Sequence, residues 1–476
     1  NYPVLGILLL SLLGCFVQKD NLALACSFAT AGACAWILFE CERRATYVKP
    51  LVYTRRVWVQ VIILCLLNLF WLIPLGMNFC VWARWGMLAM GLFSPWILMY
   101  PMALITAPIE KAVSNHYLND AKRILAARPD LKIIGITGSY GKTSTKNIMQ
   151  AVLSEQYNSL MTPASYNTPM GITRTIREML KPIHEVFICE MGADHVGDIT
   201  YLMDFVHPSI GIVTSVGPQH LNTFGCQENI LKEKMQMIEK LPADGLGILN
   251  LDNDLIRSYS IKNKVKTVTY GIQCKEAEYR AEDISYSPEG STFTLVHGDE
   301  KIAMSTRLLG EHNILNILCA AAAARSLGVE WPLIQKAVHG MHYVEHRLEL
   351  KKISGYTFID DAFNSNPVGA AMSLNVMKMM PGKRVIVTPG MIDLGEKQEP
   401  VNHAFGAKMK GNVDDVILVG EHQTKPIYEG LQSSGFDMAH VRVVKTEREA
   451  FAFVYSNFTP EDTILLENDL PDAFNS

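Results

Sequence analysis

The segment Leu131-Lys132-Ile133-Ile134-Gly135-Ile136-Thr137, followed at once by Gly138-Ser139-Tyr140-Gly141-Lys142-Thr143-Ser144-Thr145, decides how this chain is read. The isoleucine-rich run predicts a buried strand, and the helix-compatible Lys146–Leu153 follows the glycine turn. Strand, glycine turn, Lys-Thr and helix together aim successive backbone N–H groups and a helix N-terminus at phosphate oxygens. In that arrangement Lys142 reaches the outer phosphates of a nucleotide and the Thr143 hydroxyl ligates Mg²⁺. Gly138, Gly141 and Ser144 complete the cradle. The spacing is a variant one, because the common G-x-x-x-x-G-K-[ST] pattern needs glycine at position 136, where Ile136 stands.

Downstream of the loop, Val186–Glu190 (VFICE) is an apolar run ending in a carboxylate. That is the placement expected of a metal ligand at the C-terminal end of a strand beside the glycine turn. Ile210–Val216 is a second such run, with Gly217-Pro218-Gln219-His220 after it. With 131–136 and 246–250 these runs alternate with helical stretches, the pattern of a mostly parallel sheet covered on both faces. Within 264–308, Lys266–Gly271 and Ser291–Val296 alternate apolar and polar residues and predict an antiparallel appendage. The α/β alternation then repeats with Arg384–Val387, Val416–Val419, Val441–Val444 and Thr463–Leu466, a smaller Rossmann-like unit.

Upstream of the loop the composition changes. The 476 residues are 49% hydrophobic and 19% charged, with net charge −4 and mean hydropathy +0.12. The apolar excess sits in Tyr2–Val17, Leu22–Phe39, Val57–Leu75 and Trp85–Ile105, which predict about four membrane-spanning helices. The first is short, and the chain opens at Asn1 without a methionine, which implies that residues precede it. Arg43, Arg44, Lys49, Arg55 and Arg56 cluster between the second and third stretches, so that loop is expected on the cytoplasmic side. Two more crossings return the chain there. The expectation is a multi-pass protein of a bacterial cytoplasmic (inner) membrane, with its nucleotide-using part in the cytoplasm. Residues Ile109–Arg128 read as a basic, amphipathic joining helix, lying either at the lipid interface or against the next domain. The near-neutral charge argues against nucleic acid as a partner. The cysteines include no C-x-x-C pair or Cys/His cluster, which argues against a zinc site or a disulfide framework.

The loop T-G-x-x-G-K-T-S/T resembles that of the Mur ligases, the ATP-dependent amide-forming enzymes of cell-wall peptide assembly. Tyr166-Asn167-Thr168-Pro169-Met170-Gly171, Glu190-Met191-Gly192-Ala193, Gly310-Glu311-His312-Asn313, His346-Arg347-Leu348-Glu349 and Asp360-Asp361-Ala362-Phe363-Asn364-Ser365-Asn366-Pro367 extend the likeness in the same order. Within the family these stretches are most similar to the members that add D-alanyl-D-alanine.

The resemblance implies a P-loop ATP-binding domain at 131–340 and a C-terminal domain at 341–476, behind a membrane region at 1–108 and a linker helix at 109–130. It implies that ATP activates a carboxylate as an acyl phosphate, which an amine then attacks. It assigns Lys142, Glu190, His220 and Lys234 to catalysis. The metal positions carried over from the family are Thr143, Glu190, His220 and Lys234 for two Mg²⁺ ions, Lys234 being carbamylated and Lys232 the other choice. Gln236 departs from the glutamate the family carries two residues after the modified lysine. Asn313 corresponds to an adenine contact, and Arg347 and Asp361 to residues reaching the γ-phosphate and the ribose. Asn167, Thr168, Asn364 and Asn366 fall at acceptor and amino-substrate positions.

Two departures remain. Apolar stretches stand where the family holds the UDP of its acceptor, so the acceptor is expected to be either a UDP-linked or a lipid-linked muramoyl peptide. The amino component is D-alanyl-D-alanine or another amino acid or peptide, and a related ligase acting on some other polymer is the alternative. In addition, Leu465-Leu466-Glu467-Asn468-Asp469-Leu470-Pro471 replaces the family's lysine-glycine-serine turn, which leaves the amino-substrate pocket open.

Overall fold

The computed structural model describes residues 52–72, 81–287, 290–341, 348–362, 365, 367–392 and 394–468. The chain divides into two units, 1–116 and 117–476. The first contains α1 (Arg55–Leu72) and most of α2 (Val81–Ala126). Arg56 donates to the Glu110 carboxylate through Nε at 2.8 Å and Nη2 at 2.6 Å, and Gln60 adds a bond at 3.1 Å.

Among the described residues no helix is long and apolar enough to cross a membrane. That overturns the expected set of four membrane-spanning helices, and with it the multi-pass inner-membrane localisation and the lipid contact. The physical reason is visible in α1. Its 18 residues begin with Arg55 and Arg56, and the part that follows these charges rises only roughly 24 Å, short of a hydrocarbon core of about 30 Å. Tyr2–Val17 and Leu22–Phe39, with Arg43, Arg44 and Lys49, lie outside the described residues. The expected joining helix at Ile109–Arg128 is not a separate element, because α2 runs unbroken through it to Ala126.

The second unit is a mixed α/β structure with two sheets. Its first part runs β1 (Lys132–Thr137), α3 (Lys142–Leu153), β2 (Ser159–Met161), α4 (Pro169–Glu178), β3 (Val186–Glu190), α5 (Asp198–Val206), β4 (Ile210–Val213), α6 (Leu221–Phe224), α7 (Gln227–Glu239), β5 (Leu246–Asn250), α8 (Asp254–Arg257), β6 (Lys266–Gly271), β7 (Tyr279–Ser287), β8 (Gly290–His297), β9 (Glu300–Thr306), α9 (Glu311–Ser326) and α10 (Trp331–Gly340). The strand order is β2-β3-β1-β4-β5-β6-β7-β8-β9. Pairing is parallel from β2 through β7 and antiparallel across β7, β8 and β9. Lys266–Gly271 therefore belongs to the parallel part rather than to the antiparallel appendage. Its alternating burial, with Val268 and Tyr270 inward, gives the same sequence pattern in either pairing.

Side-chain alternation along the strands splits the core in two. Ile134, Ile136, Val186 and Ile188 pack with α3 and α9, while Ile133, Phe187 and Cys189 pack with α5 and α7. The buried run Ala320–Ala324 of α9 has little side-chain bulk, which lets that helix lie close against its neighbours.

The second sheet is built from β10 (Glu349–Ile353), β11 (Tyr356–Asp361), α11 (Pro367–Met377), β12 (Arg384–Thr388), α12 (Gln398–Met409), β13 (Asp415–Val419), α13 (Glu421–Ser433), β14 (Val441–Val444), α14 (Glu447–Asn457) and β15 (Thr463–Glu467). Its order is β10-β11-β15-β12-β13-β14. Only the β10–β11 pair is antiparallel.

Candidate active site

The site lies at the C-terminal ends of β1, β3 and β4, the edge where open parallel sheets hold their ligands. After Thr137 the chain turns through Gly138–Gly141 into α3. Gly138 has φ 153°, and a Cβ there would fall 2.1 Å from Thr214 Oγ1, so only glycine lets the loop lie this close to the end of β4. Gly141, left-handed at φ 83°, starts α3 with no side chain capping it.

The outer side of the loop is bonded down. Ser139 N donates to Ser215 O at 2.7 Å, Tyr140 N to Ser215 Oγ at 3.0 Å, and Thr214 Oγ1 to Tyr140 O at 2.6 Å. Ser139 Oγ exchanges bonds with Gly217, donating to its O at 3.1 Å and accepting from its N at 2.9 Å. Lys142 folds back over the loop, its Nζ donating to Gly138 O at 2.6 Å and Ser139 O at 3.3 Å.

The parallel register pairs Ile136 of β1 with Glu190 of β3, so the glutamate emerges where β1 turns into the glycine loop. Glu190 Oε1 accepts from Thr143 Oγ1 at 3.2 Å and from Asn167 Nδ2 at 3.2 Å. Its Oε2 lies 2.9 Å from Lys146 Nζ, in a pair whose side chains are 0% and 1% exposed. Among the described residues no directed hydrogen bond reaches Oε2, so what it receives from Lys146 is charge.

A cavity of about 420 Å³ opens over this node, and Lys142, Thr143, Asn167, Thr168, Glu190 and His220 are among the side chains lining it. His220, left-handed at φ 56° at the start of α6, places Nε2 3.3 Å from Asp194 Oδ1. Thr168 is an N-cap, its Oγ1 accepting from Gly171 N at 3.3 Å ahead of Pro169 in α4.

The two lysines of α7 separate cleanly. Lys232 is exposed and paired with Glu228 at 2.8 Å, whereas Lys234 is 1% exposed. Burial, reinforced by the Lys142 charge, pushes the Lys234 amine down to about 7 against the opposing pull of Asp194 and Glu233.

Other expected positions lie apart from the cavity wall. Asn313 is buried at the start of α9 and donates to Leu309 O at 2.9 Å. Asp361 ends β11 and accepts from Leu348 N at 3.2 Å. Arg347, Asn364 and Asn366 lie outside the described residues. Two residues passed over in the sequence stand close to the site. Asn316 accepts from Thr145 Oγ1 at 2.9 Å, and the signal for it is its place one helical turn after Asn313. Glu233 accepts from Gly197 N at 2.8 Å and Ile199 N at 2.7 Å, which anchors the start of α5; nothing in the local sequence marks it.

Glu467, in the segment that departs from the family turn, is buried at the end of β15, where the register sets it beside Asp361. Burial first, and the Asp361 charge second, push its carboxyl up to about 8, although Ser365 Oγ and Ser373 Oγ each donate to it at 2.5 Å. A folded-state pKa above the ordinary 4.5 means that the stabilisation is complete below about pH 4.5 and is lost as pH rises through about 8. Glu467→Gln is therefore expected to leave stability unchanged near about pH 4.5 and to raise it by a few kcal/mol near about pH 9. Urea melts at the two pH values check this, and equal effects at both would refute the assignment.

Residues 136–324 match the Mur ligase middle domain, and residues 346–467 match the Mur ligase, glutamate ligase domain. The chain is 32% identical over 295 residues to the UDP-N-acetylmuramoyl-tripeptide--D-alanyl-D-alanine ligase of Bacillus subtilis (strain 168), covering 61% of this chain and 63% of that protein. It is 29% identical over 293 residues to the ligase of the same name from Escherichia coli (strain K12), covering 61% and 65%. The matched part of the chain thus spans just under two thirds of the length of these curated relatives. MurF from Acinetobacter baumannii superposes with TM-score 0.66 at 24% identity, over 74% of this chain and 76% of that one. MurF from Thermotoga maritima, solved in complex with ADP, gives TM-score 0.67 at 22% identity over 76% and 81%. At these identities the structural likeness is one of fold.

Proposed function

We propose that this chain, which matches the Mur ligase middle domain over residues 136–324 and the Mur ligase, glutamate ligase domain over residues 346–467, is an ATP-dependent ligase of that family. It joins D-alanyl-D-alanine to a UDP-linked muramoyl tripeptide in peptidoglycan synthesis, through an acyl phosphate. The observation that carries this reading is the node itself, where Lys142 and Thr143 of the glycine loop share one cavity with Glu190 and Asn167.

In this reading residues 131–340 bind the nucleotide and 341–476 close over it. The N–H groups of Lys142, Thr143 and Ser144 at the start of α3 and the Lys142 ammonium hold the β and γ phosphates of ATP. Thr143 Oγ1 and Glu190 Oε1 form an all-oxygen pair suited to Mg²⁺, which takes few protein ligands and leans on substrate phosphates. His220, and Lys234 if carbamylated, would hold a second ion. When bound, the metal neutralises charge on the transferred phosphoryl group. Asn167 orients the acceptor carboxylate that attacks it. The amine then displaces phosphate from the acyl carbon, and closure that brings Arg347 and Asp361 to the nucleotide shields the intermediate from water. Asn313 borders the base, and Thr168, Asn364 and Asn366 border the two substrates. The lipid-linked acceptor loses its ground together with the membrane helices.

Incubating the purified chain with ATP, Mg²⁺, the UDP-linked tripeptide and D-alanyl-D-alanine, while following ADP and product mass, tests the proposal. No acceptor-dependent ADP, with this acceptor or others, rejects it.

Carbamylation of Lys234 is supported by its burial and by a pKa of about 7, because only the neutral amine adds CO₂. Lys234→Ala is expected to lose at least about 100-fold in turnover and to regain part of it with millimolar acetate or formate. Full activity without added carboxylate refutes the modified lysine.

A further inference from the structure

Lys146 is absent from every role assigned so far, although it is the most completely buried cation near the site. It lies in the first turns of α3, four residues after Lys142, with its side chain 0% exposed. It shares the buried face of α3 with Met149 and Leu153, where an ammonium needs partners. Two contacts hold it inside. Its Nζ lies 2.9 Å from Glu190 Oε2, and the same Nζ donates to the carbonyl oxygen of Ala164.

Ala164 is itself unusual, with φ 42°, a left-handed conformation that is costly for a residue with a Cβ and persists only where surrounding contacts hold it. It belongs to the loop 163–168 that carries Asn167 and Thr168. The far end of that loop is fixed independently, by Gly192 N donating to Asn167 O at 2.9 Å and Asn167 Nδ2 donating to Glu190 Oε1 at 3.2 Å. Lys146 thus closes a ring of contacts running from α3 to the Ala164 carbonyl, along the loop to Asn167, across to Glu190 and back to its own ammonium.

We propose that Lys146 is a positioning residue that couples the two ends of the site. Its buried ammonium ties the nucleotide-holding helix to the strained Ala164 of the loop bearing Asn167. It also keeps Glu190 with Oε2 turned inward and Oε1 presented to Thr143 and Asn167. Occupying the glycine loop and ordering the acceptor loop are then a single event. Only the direction of this coupling rests on the proposed function, since the contacts themselves are properties of the chain.

The test compares wild type, K146M and K146R by hydrogen–deuterium exchange of the peptide covering 162–170, with and without ATP and Mg²⁺, beside ATP affinity by calorimetry and the steady-state constants. In wild type, nucleotide is expected to slow exchange in that peptide. In K146M, ATP affinity stays within about threefold, the nucleotide effect on the peptide disappears, and the KM for the acceptor rises by at least about tenfold while the KM for ATP holds. K146R, which keeps a buried donor and charge, recovers part of the exchange protection. A K146M protein with wild-type exchange in 162–170 and a wild-type acceptor KM overturns the proposal. Should K146M fail to fold, K146M/E190Q removes both buried charges together and carries the same exchange readout. Protection in that pair equal to wild type overturns it as well. Failure of wild type to bind ATP at all would instead reject the nucleotide site, a distinct result.

Discussion

Lys142→Ala is expected to lower turnover by at least about 10³-fold while leaving the fold intact. Phosphoryl transfer spreads negative charge over the moving group, and a fixed cation already in place stabilises that charge without having to reorganise. Removing one preorganised donor of this kind costs about 10²–10³ in rate, and a full charge in a water-poor cleft lies at the upper end or beyond. The ammonium rests on the carbonyls of Gly138 and Ser139, within the very loop that would hold the phosphates, so no rearrangement is needed for it to act. Those carbonyls can turn to water when the side chain is removed, so the far-ultraviolet spectrum and the melting temperature should change little. Lys142→Arg should not restore activity, because a planar fork replaces a compact point charge in a tight loop. Lys142→Ala should also let the Lys234 amine rise above its present value near 7, since the Lys142 charge helps hold it down. ADP release measured under saturating substrates decides the matter. Retention of a tenth or more of wild-type turnover would contradict the role given to this loop.

Glu190→Gln is expected to damage stability as well as activity. The carboxylate is the counter-charge of a lysine that is 0% exposed. Breaking a buried ion pair from one side leaves an uncompensated charge in the interior, at a cost of about 3–5 kcal/mol. For a domain of this size a loss of that order lowers the melting temperature by roughly 10 °C. K146M/E190Q removes both charges, so it should regain most of the lost stability while remaining inactive. Calorimetry on the four proteins of the cycle gives the coupling energy directly. A Glu190→Gln protein that melts within about 2 °C of wild type would show that the pair contributes little and that solvent reaches Lys146.

The contrast between Glu190 and its buried partner Lys146 explains what could be read from the chain and what could not. Lys142, Thr143 and Glu190 were legible because strand ends and glycine turns are local. An apolar run ending in a carboxylate, parallel to a run ending in a glycine turn, can hardly place that carboxylate anywhere else. Lys146 was not legible. A lysine on a helix reads as solvated, and its burial arises only when a loop 18 residues later folds back onto it. Glu233 escaped notice for the same reason, because its partners Gly197 and Ile199 lie on another helix.

The resemblance put Lys234 ahead of Lys232, and the phase of α7 sends Lys232 to solvent and Lys234 into the interior. Lys266–Gly271 was misassigned because alternation reports which face is covered and not which neighbour is paired. The apolar front was misread more seriously. Arg55 and Arg56 were assigned to a loop before Val57–Leu75, whereas α1 begins on them and Arg56 is bonded to Glu110.

The most direct test of an acyl-phosphate ligase follows a single oxygen atom. If ATP phosphorylates the acceptor carboxylate, the bridging oxygen of the acyl phosphate comes from that carboxylate and leaves with phosphate when the amine attacks the carbonyl carbon. With an acceptor labelled in its terminal carboxylate by ¹⁸O, the account predicts one ¹⁸O in each inorganic phosphate released in the presence of D-alanyl-D-alanine. Phosphate that carries no label, released at the same rate with or without the acceptor, would contradict it.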